Sequence, residues 1–321
     1  MKEIKILALL IVIVGVLYWG VEPLAHSVFN PKTKPADFVF SDLEKLPITG
    51  DIKNGRVLAS NYCISCHGIE KDGFTTPINA SDAISVYGIV PPDLSNIGAL
   101  YDSNFLANLI KDPVKTLKLT HKFNDSKPFP MVPTFVSDSE LGDMVAYFKS
   151  IGDSSLDAQI SELLEFKNGL DSINNSSLNP EEKQSKLSSL KEHLTNKQVF
   201  ISACSRCHSM KYDNVDSMTD ALSIENYLGA KAPDLSMMIR SRGEENLNKF
   251  INDPQKILVN ASMPRVGLTE DAQDRVIRYI DSIGDSKKNQ RHLVGIITIS
   301  FMIFMSIIAY LWKLKIWREI Q

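Results

Sequence analysis

Cysteine is scarce in this 321-residue chain, and none of it is left over for a structural disulfide framework. The four cysteines lie in two pentapeptides, CISCH at residues 63–67 and CSRCH at residues 204–208. A small disulfide-held scaffold is therefore excluded. Alternating apolar and polar runs of useful length are also missing, so the sequence does not predict a β-sheet. The net charge is only −3, and we expect no nucleic-acid partner.

The second pentapeptide lies in an internal repeat of the sequence around the first. An offset of 141 residues aligns the two motifs and also aligns PDLS at 92–95 with PDLS at 233–236. Further along, the offset becomes 132 and aligns SIGD at 150–153 with SIGD at 282–285. Nine extra residues between Pro113 and Met131 account for the change. The sequence therefore predicts two copies of one domain, at residues 50–153 and 195–285.

Helical signals dominate each copy. Segments 103–113 and 244–254 place apolar residues three and four apart and stop at Asp-Pro, where proline disfavours further helix. Segments 137–152 and 268–284 open with Ser or Thr followed by acidic residues and close on glycine, so we expect helices that end at Gly152 and Gly284. Two further helices are predicted in the linker, residues 154–194, with Asn179 as a cap and Pro180 in the first turn. The predicted fold class is all-α.

The Cys-x-x-Cys-His motif has three chemical interpretations. A zinc half-site would need four close ligands, but the two pairs are 141 residues apart in duplicate domains. A redox dithiol would need a thioredoxin-like strand and helix context, which is absent. In the third interpretation, two thiols bind haem covalently and the adjacent histidine supplies an axial ligand to iron. Two motifs that use every cysteine favour two covalent haem c groups, held by Cys63 with Cys66 and by Cys204 with Cys207.

Each haem iron would take His67 or His208 as one axial ligand and needs a second on the opposite side. Met131 and Met263 occupy equivalent positions in proline-containing loops before the last helix of each copy, and a methionine thioether raises the reduction potential. The alternative is that these methionines only fill core gaps. For the first copy, His121 also competes with Met131 as the ligand.

Together, Cys-x-x-Cys-His, Pro-Asp-Leu, a methionine loop and a final helix with an aromatic residue resemble a class I cytochrome c domain, present in tandem. That resemblance implies that the carbonyls of Pro92 and Pro233 accept the Nδ1 protons of His67 and His208. It also implies that Tyr147 and Tyr279 pack the last helix of each copy against the first, and that haem is attached outside the cytoplasmic membrane.

Both ends of the chain carry apolar runs. Residues 293–312 are twenty uncharged, mostly apolar residues, which predict a transmembrane helix. A second such helix is predicted within residues 1–22, with a cleaved signal peptide as the alternative. The resemblance then implies a bacterial inner-membrane protein with its haem domains in the periplasm and both termini in the cytoplasm, anchored in the lipid bilayer.

This arrangement is similar to the di-haem cytochrome c1 subunits of bacterial quinol:cytochrome c oxidoreductases, the bc1 complexes. The resemblance implies electron transfer from a Rieske iron-sulfur protein, in a complex with cytochrome b, to a soluble cytochrome c. It would make the chain an electron-transfer subunit without catalytic residues of its own. Two alternatives remain open: the di-haem subunit of a cbb3-type oxidase, which usually has only an N-terminal anchor, and a di-haem peroxidase, which needs an open iron site.

Overall fold

The computed structural model describes residues 2–29 and 35–320, and most of these residues are helical. Within those ranges no strand forms, and β-structure is limited to isolated bridges such as Ile69 with Phe74. The predicted all-α class is confirmed. The chain divides into two compact units, residues 1–36 and residues 37–321.

The first unit is an apolar helical segment. Helix α1 (Lys2–Val16) continues through a π-helical turn (Leu17–Val21) into α2 (Glu22–Phe29). Within it, the 22 residues Ile4–Ala25 are long and apolar enough to cross a membrane, and this window contains no buried residue.

The second unit contains fourteen α-helices in its described residues. In chain order these are α3 (Ile52–Tyr62), α4 (Ala80–Tyr87), α5 (Ile97–Leu100), α6 (Ser103–Lys111), α7 (Pro113–Thr116), α8 (Asp138–Glu162), α9 (Leu164–Asn174), α10 (Pro180–Cys204), α11 (Ala221–Leu228), α12 (Met238–Arg242), α13 (Glu244–Asn252), α14 (Pro254–Ile257), α15 (Glu270–Gly284) and α16 (Lys288–Ile320). Two 3₁₀ turns, Glu70–Asp72 and Lys211–Asp213, follow the two cysteine motifs.

The predicted helix stops at Asp-Pro are confirmed. Helix α6 ends at Lys111 and α13 ends at Asn252, each just before its Asp-Pro pair. The prolines then begin the short helices α7 and α14, because a first-turn position needs no backbone N–H donor.

The predicted end of α8 at Gly152 is wrong, whereas α15 ends at Gly284 as expected. Helix α8 begins after the expected cap Ser137, which forms a capping box with Glu140, but it runs on to Glu162. Gly152 is needed for close packing rather than for a left-handed cap: a Cβ there would lie 2.6 Å from the backbone nitrogen of Ala99 in α5. The glycine lets two helices touch without ending either.

The linker is helical, as expected. Helix α9 and the first half of α10 flank a short connection, Asn179 caps α10, and Pro180 is in its first turn. Helices α8 and α10 both run through the boundaries proposed at 153–154 and 194–195. Those domain boundaries stay a prediction.

Two large hydrophobic cores and one smaller cluster lie in the described residues of the second unit. The first includes Leu58, Leu106 and Tyr147, and the second includes Phe200, Val276 and Tyr279. Tyr147 is buried where α8 contacts α3, and Tyr279 is buried where α15 contacts α10. This is the packing that the resemblance implied for them.

Each tyrosine also donates a hydrogen bond to the 3₁₀ turn after a cysteine motif. The Tyr147 hydroxyl lies 2.8 Å from Asp72 Oδ2, and the Tyr279 hydroxyl lies 2.6 Å from Asp213 Oδ2. The same contact therefore ties the last helix to the motif loop in both halves of the unit.

The chain leaves the second core through α16, a helix of 33 residues. Its stretch Lys288–Arg318 is long and apolar enough to cross a membrane, and the membrane-length window within it contains no buried residue. The predicted span at 293–312 falls inside this helix.

Candidate functional site: a shared cavity lined by both cysteine motifs

Both cysteine motifs begin at the end of a helix. Cys63 caps α3, and Cys204 is the last residue of α10. A tight turn then folds the histidine back over the first cysteine: the amide of His67 donates to the carbonyl of Cys63, and that of His208 to Cys204, both at 2.9 Å. All four cysteines are free thiols. The turn thus brings two thiols and an imidazole together at each helix end.

The imidazole rings are held from behind by backbone. His67 Nδ1 lies 2.8 Å from the carbonyl oxygen of Pro92, and His208 Nδ1 lies 2.9 Å from that of Pro233. A carbonyl can only accept, so each Nδ1 carries the proton and each Nε2 keeps its lone pair for a metal.

An aspartate after each of these prolines fixes the carbonyl in place. Asp93 accepts a bond from the amide of Glu70 at 3.0 Å, and Asp234 accepts one from the amide of Lys211 at 2.9 Å. Because Glu70 and Lys211 belong to the 3₁₀ turns after the motifs, motif and Pro-Asp-Leu segment are held as one rigid piece. Sequence reasoning gave these aspartates no role, although both belong to the repeated PDLS.

Burial sets the protonation states of the ligating groups. It raises the pKa of the thiols of Cys63 and Cys204 to about 12, so both are protonated at neutral pH. Burial also lowers the pKa of His67 and His208, against the opposing effect of the proline carbonyls. Both imidazoles are therefore neutral at pH 7, which is the form that binds a metal.

One continuous cavity of about 1110 Å³ connects the two motifs. Its lining includes all eight residues predicted to hold cofactor: Cys63, Cys66, His67, Met131, Cys204, Cys207, His208 and Met263. A pocket for one drug-sized ligand is about 300–1,000 Å³, so this cavity exceeds that range. His121, the alternative to Met131, is exposed and is not among the lining residues.

The insertion between Pro113 and Met131 of the first copy packs against the second copy of the repeat. Leu119 and Phe123, from this insertion, form a hydrophobic cluster with Ile224 and Leu228 of α11. Phe129 and the partly buried Cys207 pack against the same cluster. The sequence identified the insertion but not its role, although its apolar residues were a signal that it is not a solvated loop.

Two arginines to which the sequence analysis gave no role also belong to the site. Arg206, inside the second motif, and Arg265, two residues after Met263, both line the cavity. Each has a buried nitrogen, Arg206 Nε and Arg265 Nη2, without a hydrogen-bond partner in the described part of the chain. Such orphaned donors in a largely apolar cavity point to an acidic ligand group.

The fold and the site define a helical domain that presents two thiols, an imidazole and a thioether around an apolar cavity. Residues 52–152 match the family model described as Cytochrome c, so this part of the chain is a cytochrome c domain, and such a domain implies electron transfer by covalently bound haem c.

One solved structure similar to this chain is titled "Hyperthermophilic respiratory Complex III". Its sequence identity is 21%, its TM-score is 0.33, and the match covers 40% of this chain and 77% of the other. No curated protein matches the chain.

The residues present fit haem c. The four cysteines form no disulfide and line the cavity. Each histidine bonds to a proline carbonyl through Nδ1, which leaves Nε2 for the iron. The rest of the lining is largely apolar. Such a lining suits a flat macrocycle, and its described residues include no carboxylate side chain of the kind that binds a hydrated divalent cation.

Proposed function

We propose that the chain binds two haem c groups in the shared cavity and passes electrons between them. The observation that carries this proposal is the cavity itself, because both cysteine motifs and both methionines line one space. When bound, haem supplies a one-electron couple between ferrous and ferric iron. Cys63 with Cys66 would hold one group, and Cys204 with Cys207 the other.

In this proposal the protein residues determine how easily each iron is reduced. His67 and His208 supply neutral nitrogen ligands, oriented by the carbonyls of Pro92 and Pro233. Met131 and Met263 supply thioether ligands, which favour the reduced state. The apolar lining excludes water and leaves little polar rearrangement to accompany a change in charge.

The proposal extends to the membrane. Two helices of membrane-crossing length, Ile4–Ala25 and Lys288–Arg318, would anchor the haem domains on the periplasmic side of a bacterial inner membrane. Lys5, Lys313, Lys315 and Arg318 would then lie in the cytoplasm, as basic residues beside a membrane span tend to.

The specific role that we propose is the di-haem cytochrome c1 subunit of a bc1 complex. Electrons would arrive from a Rieske iron-sulfur protein held with cytochrome b and leave to a soluble cytochrome c. The apolar helix after the second cysteine motif supports this over the cbb3-type alternative, and the presence of a methionine from each copy in the cavity lining supports it over a peroxidase.

Purification of the full chain from its native membrane in mild detergent tests both the binding of two haems and the cytochrome c1 role. We expect two covalent haems per chain, two low-spin spectra, and co-purification of a cytochrome b and an iron-sulfur protein. A chain with one haem would refute the shared two-haem site. A two-haem chain that co-purifies with an oxidase, or reduces peroxide at enzymatic rates, would refute the cytochrome c1 role alone.

A further inference from the structure

Helices α4 and α11 occupy equivalent positions in the two copies but end in chemically different residues. Tyr87 is the last residue of α4, and Leu228 is the last residue of α11. The 141-residue offset that aligns the cysteine motifs also aligns these two positions. Each is followed by a glycine cap in the left-handed region, so the backbone ends in the same way in both copies. The difference is therefore confined to the side chain, a phenol in the first copy and an aliphatic group in the second.

Both side chains line the shared cavity and belong to the surroundings of the second cysteine of a motif. The hydroxyl oxygen of Tyr87 is 3.5 Å from Cys66 Sγ, close enough for a hydrogen bond to sulfur. Leu228 is buried in the apolar cluster against which Cys207 packs. The sulfurs of Cys66 and Cys207 therefore have different surroundings at equivalent positions.

The hydrogen bond in the first copy has a defined direction once haem is attached. A thiol can donate or accept, whereas a thioether sulfur carries no hydrogen and can only accept. Tyr87 must then be the donor, and its hydroxyl keeps its proton at neutral pH because an ordinary phenol ionises at about pH 10. The Ser65 hydroxyl is 3.7 Å from the same sulfur but is exposed, so water competes with the sulfur for it.

Tyr87 is held in place by the second copy. The glycine after it, Gly88, lies so close to Tyr227 of α11 that a Cβ there would be 3.0 Å from the ring carbon Cδ2. Two residues further on, the amide of Val90 donates to the buried Thr219 hydroxyl at 3.3 Å. The end of α4 is therefore fixed against the second copy directly after Tyr87, which keeps the phenol beside the first motif.

We propose that Tyr87 tunes the first haem by donating a hydrogen bond to the thioether sulfur of Cys66, and that Leu228 leaves the second haem without this bond. This inference rests on the proposed haem binding and adds to it a residue that makes the two cofactors unequal. Tyr87 acts on the iron through the sulfur and the macrocycle, so it is a positioning residue rather than a ligand.

The expected effect on the first haem is a higher reduction potential. A hydrogen-bond donor withdraws electron density from the sulfur and from the ring attached to it, which favours the less positive, ferrous state. Tyr87→Phe keeps the aromatic ring and removes only the hydroxyl. Because a thioether is a weak acceptor, we expect a loss of roughly threefold in the reduction equilibrium constant of one haem. At about 59 mV per tenfold for one electron, this loss is about 28 mV.

Redox titration and resonance Raman spectroscopy of the haem-loaded full chain in detergent test the proposal. In Tyr87→Phe, one of the two potentials should fall while the other stays, and one carbon–sulfur stretching band should shift. Tyr212→Phe is the matched control, because it removes a hydroxyl from a tyrosine that is 64% exposed and outside the cavity lining. Ser65→Ala should move the same potential by less than Tyr87→Phe does, since water replaces an exposed hydroxyl.

A measurement on Ser65→Ala decides the question if Tyr87→Phe does not fold. Removing the serine hydroxyl leaves the Tyr87 phenol beside this sulfur, and transfer to D₂O replaces its proton by deuterium, so one carbon–sulfur band should shift. Absence of that shift would overturn the inference, as would a folded Tyr87→Phe chain with both potentials unchanged, both lowered, or one raised. Binding of fewer than two haems by the wild-type chain would instead refute the proposed function.

Discussion

Phe123 offers a direct test of how the two copies are held together. It lies in the insertion peculiar to the first copy and is 4% exposed. Its ring meets Phe129 edge-on at 4.9 Å and Tyr227 of α11 at 5.3 Å between centroids. Because Tyr227 belongs to the second copy, Phe123 joins the insertion to the helix beside Cys207.

Replacing Phe123 with Ala removes this contact and leaves a cavity. Phenylalanine to alanine in a packed core costs about 3–5 kcal/mol, and the two aromatic contacts place this site within that range rather than below it. The cost should appear locally, since α11 keeps its own capping by Asp220. Taking 3 kcal/mol, the opening equilibrium of the insertion and α11 should rise by roughly a hundredfold.

Amide hydrogen exchange on the full chain in detergent measures that opening. We expect faster exchange in residues 114–129 and 221–228 and unchanged exchange in α3 and the buried half of α8. Phe135→Ala is the matched control, because Phe135 follows the same methionine loop but is 91% exposed. If Phe123→Ala exchanges no faster than Phe135→Ala, the insertion does not fasten the copies and the reasoning fails.

Two further predictions concern the axial ligands and the hydrogen bond between Tyr147 and Asp72. Met131→Ala and Met263→Ala should each abolish half of the sulfur-to-iron absorption band, whereas His121→Ala, exposed and outside the cavity lining, should leave it intact; the reverse result would make His121 the ligand. Burial and the bond to Asp72 raise the pKa of Tyr147, so its stabilising contribution is present below about pH 10 and lost as pH rises further. Tyr147→Phe should therefore make the loss of thermal stability above about pH 10 shallower, and an unchanged slope would contradict this.

Local features of this fold were predictable because they depend on neighbouring residues. The Cys-x-x-Cys-His turn, the helix stops before Pro113 and Pro254, and the cap at Asn179 follow from backbone chemistry within a few positions. Gly152 is a position where neighbouring residues alone gave the wrong prediction. A glycine after a helical pattern predicts a helix end, but here it admits α5 against α8, a contact that only the tertiary structure reveals.

The contacts between the copies could not be predicted from local pattern. Arg265 and Asp42 are 223 residues apart in sequence, and no periodicity connects them. The sequence did distinguish the insertion as a difference between the copies, but it gave no role to the arginine after Met263. It did not show that both lie at one interface, because that depends on how the two copies dock.

The position of these differences has a physical reason. Two copies of a sequence repeat that pack through unlike faces form a heterologous contact, in which each face needs its own chemistry. The first copy contributes an apolar insertion that packs on α11, and the second contributes Arg265, which reaches Asp42 and Thr116. Neither feature has a counterpart in the other copy. The repeat therefore keeps the residues that would hold haem the same in both halves and differs where the halves meet, which is the arrangement that the proposed two-haem cavity would need.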